Sequence, residues 1–403
     1  MASWKSTSTY VDKVPLPGAS IVSGMWIFRV KRPTGSPPAF KARYVARGIS
    51  QRQGVDFFQT FSPTPKMTTL RVLLHVAAQR DYELHSLDFS TAFLQGSLHE
   101  IWLHRPPGFT GSFPAGTQWS LRRPVYGLRQ APDEWHDTLK TTLSALGFVP
   151  STSDPSLFLR TDTTLPLFYV LVHVDDLVFA TADTEALAHV LQRFSFTYSL
   201  PQSTPLPTGH SLSAPPSDES VEPSGPSSGM GLVLGGRARV VLTGHTDASS
   251  VDDLATQRSS QGYTFSLGSG SVSWRSTCSS SVLSSSCEAE IYAGAMAAQE
   301  LRWLTYLLTD LGEAPRSPPV LYVDNKAMLA LCQEHRLEHR IKHIALRYFL
   351  ARELQQRGQL HLAYVSSQAN TADFLTKALQ PCDHKRFCTV LGLVPTVPHL
   401  LSS

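Results

Sequence analysis

Two adjacent aspartates, Asp175 and Asp176, interrupt an apolar stretch. Leu-Phe-Tyr-Val-Leu-Val-His-Val (167–174) precedes them and Leu-Val-Phe-Ala (177–180) follows. Apolar runs on either side of a polar pair predict two buried strands joined by a tight turn, with both carboxylates at the turn. Neighbouring carboxylates repel each other and lose hydration when partly buried, so a cation is expected beside them. Oxygen ligands of this kind suit magnesium or manganese. The pair also fits a solvated hairpin turn, because Asp is a common turn former. A third acid, Asp88, closes the alternating segment Tyr82–Phe89. Three carboxylates from two strands can hold a metal pair across a nucleotide's phosphates, as in-line displacement at phosphorus requires.

The surrounding elements must position these acids. Residues 25–47 read as a hairpin: Met25–Val30 as one strand, Pro33–Pro38 as the turn and Phe40–Arg47 as the return. Lys41, Arg43 and Arg47 then project from one face and could hold a triphosphate or a nucleic-acid backbone, or form a solvated strand face. Residues 68–80 predict an amphipathic helix, and Ser90–Gly96 a turn into a short one. Residues 124–147 begin with a flexible segment containing Gly127 and Gln130, where a ligand could approach closely. A helix then carries Trp135, Leu139, Leu143 and Leu146 as a core stripe and stops at Gly147. Residues 183–196 predict one more helix.

A chain of 403 residues suffices for two or three domains, and 42% hydrophobic with 17% charged residues fits a soluble globular protein. A net charge of +3 gives no global basic field, so any nucleic-acid site must be a local groove. The five cysteines include no Cys-x-x-Cys pair, which argues against a zinc site or a disulfide framework and for a reducing compartment. The N-terminus is polar, without a signal-peptide core, and no apolar run could span a bilayer. A soluble intracellular protein with no membrane partner is expected.

The order Lys-Ala-Arg-Tyr-Val-Ala-Arg-Gly (41–48), Thr-Phe-Ser-Pro (60–63), Leu-Asp-Phe-Ser-Thr-Ala-Phe-Leu-Gln-Gly (87–96), Val-Tyr-Gly-Leu-Arg-Gln-Ala-Pro (125–132), Asp-Pro-Ser-Leu-Phe (154–158) and Val-Asp-Asp (174–176) resembles the reverse transcriptase of copia-type retrotransposon Pol polyproteins. The resemblance covers about residues 25–195 and implies the fingers and palm of a right-hand polymerase. It implies Asp88 and Asp175 as ligands of two metal ions, with Asp176 supporting. It also places Phe93 under the incoming sugar, Lys41 and Arg43 near the triphosphate, and Tyr126, Gly127 and Gln130 near the templating pair. His173 stands where the family most often has Tyr.

In residues 201–231, 19 of 31 are Pro, Ser or Gly, which marks a linker without a packed core. The family has a longer thumb and connection there, so residues 200–235 are expected to be a truncated version. Beyond it, four acids fall at the ends of expected elements: Asp247 after a strand, Glu290 in the first turn of a long helix, Asp324 after a strand and Asp373 opening a short helix. Four such acids can clamp two magnesium ions. Thr-Asp-Ala (246–248), Ser-Cys-Glu-Ala-Glu (286–290), Val-Asp-Asn (323–325) and Asn-Thr-Ala-Asp-Phe-Leu-Thr-Lys (370–377) resemble the ribonuclease H of the same family over about residues 236–380. Glu290 fits better than Glu288 by its spacing along the helix. His335, His339 and His343 read as part of a basic helix rather than a zinc site, and Ala345 stands where the family usually has Asp.

The expected fold is therefore α/β (α+β): a remnant (1–24), fingers and palm (25–199), the linker, a ribonuclease H-like domain (236–380) and a tail (381–403). The resemblance implies an RNA-directed DNA polymerase with ribonuclease H, using two Mg2+ or Mn2+ ions per site. Its partners would be an RNA template, a DNA primer, an RNA–DNA hybrid and dNTPs. Two other readings stay open: an impaired remnant acting as a nucleic-acid-binding protein, and a nuclease whose polymerase half is idle. The implied location is the cytoplasm, in a virus-like particle, or the nucleus. Oligomeric state is left open.

Overall fold

The computed structural model describes residues 2–32, 37–89, 91–109, 116–160, 167–197, 204–205, 230–235, 240–253, 258–268, 270–279, 285–333, 349–377 and 381–395, with the single residues 114 and 283. Most of the linker, the tip of the first hairpin and the three histidines at 335, 339 and 343 lie outside them.

The N-terminal residues are woven into the first half. A short helix α1 (Ala2–Ser6) precedes strands β1 (Tyr10–Lys13) and β2 (Ile21–Val22). Trp4 is buried against Tyr10, Tyr44 and Trp119. Next come β3 (Gly24–Lys31) and β4 (Ala39–Ala46), an antiparallel hairpin with Arg29 opposite Lys41 and Ile27 opposite Arg43. Helix α2 (Met67–Arg80) leads into β5 (Glu83–Asp88), then β6 (Ile101–Leu103) and β7 (Gln118–Leu121). Helix α3 (Ala131–Ala145) is followed by β8 (Val149–Pro150), β9 (Leu157–Arg160), β10 (Phe168–His173), β11 (Asp176–Thr181), α4 (Thr184–Thr197) and β12 (Thr204–Pro205).

Strands β12-β5-β11-β10-β9-β8 form a six-stranded sheet, and β1-β7-β6-β2 a smaller one. The large sheet is buried on both faces, and its alternation shows which side chain serves which layer. Phe168, Val170 and Val172 pack with Trp135, Leu139 and Leu143 of α3 and Leu187, Val190 and Phe194 of α4. Tyr169 and Leu171 point the other way, toward Val72, Leu73, Val76 and Ala77 of α2.

The second half contains β13 (Met230–Leu232), β14 (Leu242–Asp253), β15 (Arg258–Leu267), β16 (Gly270–Cys278), α5 (Ser286–Asp310), β17 (Val320–Val323), α6 (Lys326–Gln333), α7 (Leu350–Gln356), β18 (His361–Tyr364), α8 (Asp373–Thr376), α9 (Pro381–Val390) and β19 (Leu393–Pro395). Its main sheet runs β16-β15-β14-β17-β18, antiparallel through β14 and parallel beyond it. This is the mixed α/β frame expected of a ribonuclease H-like domain after a polymerase palm. Tail strand β19 pairs with β13 at the linker's end. Among the described residues, no helix is long and apolar enough to cross a membrane.

The halves share one core. The cluster around α2 continues without a break into Leu242, Tyr263, Phe265, Leu301, Leu304 and Leu308. Polar contacts rim this seam. The Tyr169 hydroxyl donates to the Leu311 carbonyl (2.7 Å), and Trp303 Nε1 donates to the Ser153 carbonyl (2.9 Å). The Asp310 carboxylate accepts from the hydroxyls of Ser151 and Ser153. The Lys66 ammonium lies 3.7 Å from the Trp303 ring centroid, and the Arg71 guanidinium 3.9 Å from that of Trp274. Asp154, of the Asp-Pro-Ser-Leu-Phe motif, is buried and braces α2 by accepting from Thr69 Oγ1 (2.5 Å).

Candidate active sites

In the first half, antiparallel pairing of β5 with β11 places Asp88 opposite Asp176. The β10–β11 hairpin pairs His173 with Asp176, leaving Val174 and Asp175 as its two-residue turn. Val174 takes a φ of +57°, an unfavourable conformation for a β-branched residue. Two hydrogen bonds hold the turn there: Trp135 Nε1 donates to the Val174 carbonyl (2.6 Å), and the Phe89 amide donates to the Asp175 carbonyl (2.8 Å). Strain over-determined by its surroundings in this way is a mark of functional turns. Burial, then Asp175 and Asp88, raise the Asp176 pKa, while His173 opposes the shift.

The residues expected around the nucleotide largely gather beside these acids. Phe93 and Tyr126 meet edge to face with centroids 4.6 Å apart, and the Arg43 guanidinium lies 5.2 Å from the Tyr126 ring. The Tyr126 phenol is pushed up by burial, then by Asp175, so it lies within the field of the acids. A cleft of about 400 Å3 is lined by Arg29, Lys41, Arg43, Tyr126 and Gly127, together with Met25 and Ile27. Arg29 was missed in the sequence, although the hairpin register aligns it with Lys41.

Three expectations are corrected here. Gln130 is buried, with its oxygen accepting from Gln51 Nε2 (3.0 Å) and its nitrogen donating to the Asp56 carbonyl (3.1 Å). Its amide braces the loop rather than facing a templating pair. Gly127 (φ +91°) lines the cleft, but what comes close to it is β4: a Cβ there would run into the Ala46 carbonyl oxygen. Arg47 lies past the end of β4, where its Nε meets Met25 Sδ (3.4 Å), and it does not line the cleft.

In the second half, parallel pairing of Thr246 with Val323 carries Asp247 and Asp324 to the same level of β14 and β17. Gly262 lies opposite Asp247, and a Cβ there would approach Leu375 and Thr376 to 3.0 Å, so the glycine lets α8 close on the sheet. Asn370 fixes the approach to α8, donating to the Thr246 carbonyl (3.0 Å) and accepting from the Ala372 amide. Asp247, Asp324 and Asp373 each bring an oxygen within 4.8 Å of the others. Among the described residues this is the one such trio of potential ligands; Asp88, Asp175 and Asp176 do not close to that distance.

Glu290 lies in the second turn of α5, not the first, because the helix starts at Ser286. Burial, then Asp247 and Asp324, push its pKa up to about 9. Glu288 instead occupies the first turn, its amide donating to the capping Ser285 hydroxyl (3.1 Å). Burial and Asp247 likewise raise Asp373 to about 6. Glu290 Oε2 is buried and without a hydrogen-bond partner. Converging carboxylates and an orphaned oxygen fit hard divalent cations with oxygen ligands.

Lys377, which the sequence reading passed over, contacts two of these acids, Asp247 Oδ1 at 3.3 Å and Asp373 Oδ1 at 3.0 Å. Burial alone would lower its pKa, but the carboxylates more than offset this and hold it above its ordinary value. The other oxygen of Asp247 accepts from Thr376 Oγ1. Lys377 follows Asp373 at i+4, a helical spacing that could have flagged it.

Residues 9–206 match the family model of reverse transcriptase (RNA-dependent DNA polymerase). The chain is similar to the retrovirus-related Pol polyproteins of two Arabidopsis thaliana transposons, RE2 (31% identity, 95% of this chain) and RE1 (30%, 96%), and covers 33% of each. A third relative, the Pol polyprotein of transposon TNT 1-94 from Nicotiana tabacum, is 27% identical over 94% of this chain and 36% of its own length. The chain thus spans about a third of these relatives. The alignment with RE2 takes 478 positions, more than this chain has residues, so the relative carries stretches with no counterpart here. A foamy viral protease-reverse transcriptase structure with double-stranded DNA covers 90% of this chain and 68% of its own at 11% identity and a TM-score of 0.49. Residues 9–206 thus match the reverse transcriptase family, and nearly the whole chain is similar to the retrovirus-related Pol polyproteins of plant transposons.

Proposed function

We propose that the chain is an RNA-directed DNA polymerase (residues 25–199) joined to a ribonuclease H (236–380), acting on an RNA template, a DNA primer, dNTPs and the resulting hybrid. The observation that carries this reading is the register that sets Asp88 opposite Asp176, beside a cleft lined by Arg29, Lys41 and Arg43. Guanidinium and ammonium groups neutralise a triphosphate and orient it. Phe93, held against Tyr126, would lie beneath the sugar and exclude a 2′-hydroxyl. Asp88 and Asp175 would hold metal in the first site, with Asp176 supporting, and Asp247, Glu290, Asp324 and Asp373 in the second. Two divalent ions at each set would activate the attacking oxygen and stabilise the leaving one. Before that, the protein's own task is to keep like charges converged.

The test is primer extension on poly-rA/oligo-dT with magnesium, comparing the natural chain with Asp175→Asn. Extension by the first and not by the second is expected. Equal extension by both would refute the assignment of Asp175. No extension by either would favour a second reading, a nucleic-acid binder without polymerase turnover. That reading draws on the stretches of the relative that have no counterpart here.

A further inference from the structure

The ribonuclease H acids carry a cation of their own. Asp247 is almost wholly buried and Asp373 nearly so, and bringing such groups together without compensation is costly. One five-residue segment supplies both a ligand and the compensation. Asp373 opens α8, Thr376 ends it and Lys377 caps it. The Thr376 hydroxyl takes one oxygen of Asp247 and the Lys377 ammonium the other, while the same ammonium reaches Asp373. The Lys377 side chain is 37% exposed, so it enters the cluster from the solvent side, and its stem is long enough to leave by the same route. Glu290 Oε2 has no hydrogen-bond partner, and Asp324 Oδ2 accepts from the neutral Ser367 hydroxyl (2.7 Å), which leaves the cluster short of positive charge even with Lys377 in place.

We propose that Lys377 is a tethered counter-ion of the ribonuclease H centre: it holds Asp247 and Asp373 together before metal binds and is displaced by the divalent ion that takes its place. It is a positioning residue, and the idea rests on the metal-site reading above. The ammonium and the incoming ion need the same oxygens, so they compete. Its presence lowers metal affinity and, in exchange, keeps the four acids assembled without metal.

Calorimetric titration of the full chain with MnCl2, alongside thermal melts with and without the ion, tests this. Lys377→Met is expected to bind Mn2+ about tenfold or more tightly, since a unit charge a few ångströms away is removed. The variant is also expected to melt earlier than the natural chain without metal and to gain more from its addition. Lys377→Arg, which keeps the charge, is expected to hold affinity near the natural value. Asp324→Asn in each background reports whether the observed binding belongs to this centre. If Asp324→Asn abolishes binding but Lys377→Met leaves it unchanged or weaker, the counter-ion proposal falls and the metal site stands. If binding in both the natural chain and Lys377→Met is indifferent to Asp324→Asn, the metal-site reading falls and the proposal with it. A merely structural lysine would not give tighter binding on removal.

Discussion

Asp88 and Asp176 face one another across neighbouring strands and are exposed, with Asp175 half-buried on a two-residue turn. Asp247, Glu290 and Asp373 are buried, and Asp324 half-buried, within a cluster that Lys377 and Thr376 close from the side. The difference lies in where each site finds its compensating charge. The first set of acids stays apart in water, where repulsion is screened, beside the cleft of Arg29, Lys41 and Arg43 that the proposed function gives to a triphosphate. The ribonuclease H acids are already converged, so their compensation has to be covalently present. An exposed site assembled by its substrate and a buried site assembled by its own chain should respond differently to substitution, pH and disruption of the body they share.

The largest effect should come from removing one ligand at a time. Asp324→Asn is expected to reduce RNA cleavage in an RNA–DNA hybrid by about a thousandfold or more, since several kcal/mol of transition-state stabilisation go with a metal ligand. Primer extension by the same variant should stay near the natural rate. Asp175→Asn should give the mirror image. A variant that lost both activities would mean that the sites are not separable, and the comparison would have to be abandoned.

Next comes the shared core. Leu73 on α2 and Leu304 on α5 belong to one apolar cluster, although one lies in the polymerase half and the other in the ribonuclease H half. Both are fully buried. Either Leu→Ala change should cost about 2–5 kcal/mol. Both should move the same calorimetric transition, because neither half can expose that cluster alone. Two transitions, each shifted by only one of the variants, would show that the halves unfold independently.

Much of this was legible in the sequence. Apolar runs bounded by acids gave β10, β11 and β17 nearly at their observed limits, because buried strands leave a continuous hydrophobic signal, whereas β14 runs on past Asp247 to Asp253. Asp88, Asp324 and Asp373 do sit at element ends, but Asp247, expected to end a strand, lies inside β14, and Glu290 falls in the second turn of α5. Contacts between segments distant in sequence were not legible. Nothing local says that Gln130 will be spent on Gln51 and Asp56, or that Gly127 faces Ala46, because those partners lie more than seventy residues away. Trp135 was read as core, which it is, but its Nε1 also fixes the strained Val174 turn across the fold. The shared core was hidden for a different reason. A low-complexity linker separates the halves in sequence, but its composition says nothing about how the folded parts at its two ends pack.

Acid should act on both halves through buried histidines. His75 on α2 accepts a hydrogen bond from the Gly235 amide (3.1 Å), and burial lowers its pKa to about 4. His245 on β14, stacked on Tyr322, is likewise lowered to about 4 by burial. In both cases the unfolded chain takes up a proton near pH 6.5 and the folded one does not until about pH 4. Their contribution is therefore complete above pH 6.5 and is lost as pH falls toward 4, about 3 kcal/mol for each. Glu290 and Asp373, whose pKa values are raised, act in the opposite sense: protonating them relieves the buried cluster. Subtracting the melting profile of His75→Asn, which keeps an acceptor for Gly235, isolates the first effect. A natural chain and variant with parallel profiles from pH 7 to 4.5 would remove His75 from the account.

The smallest effect should come from the rim of the seam. Arg80 at the end of α2 reaches Glu313 after α5 at 2.5 Å, with side chains 52% and 15% exposed. The pair joins the two halves, so geometry alone would suggest a clasp. Solvent screening and the entropy of ordering two long side chains argue otherwise, and exposed pairs of this kind contribute about 0.2–1 kcal/mol. A double-mutant cycle over Arg80→Ala and Glu313→Ala should give a coupling within that range, shrinking as salt is raised. A coupling above about 2 kcal/mol that persists in high salt would place the hold between the halves in charge at the rim. The small coupling expected here places it in the apolar cluster of Leu73 and Leu304, which is insensitive to the ionic conditions that both acid sites feel.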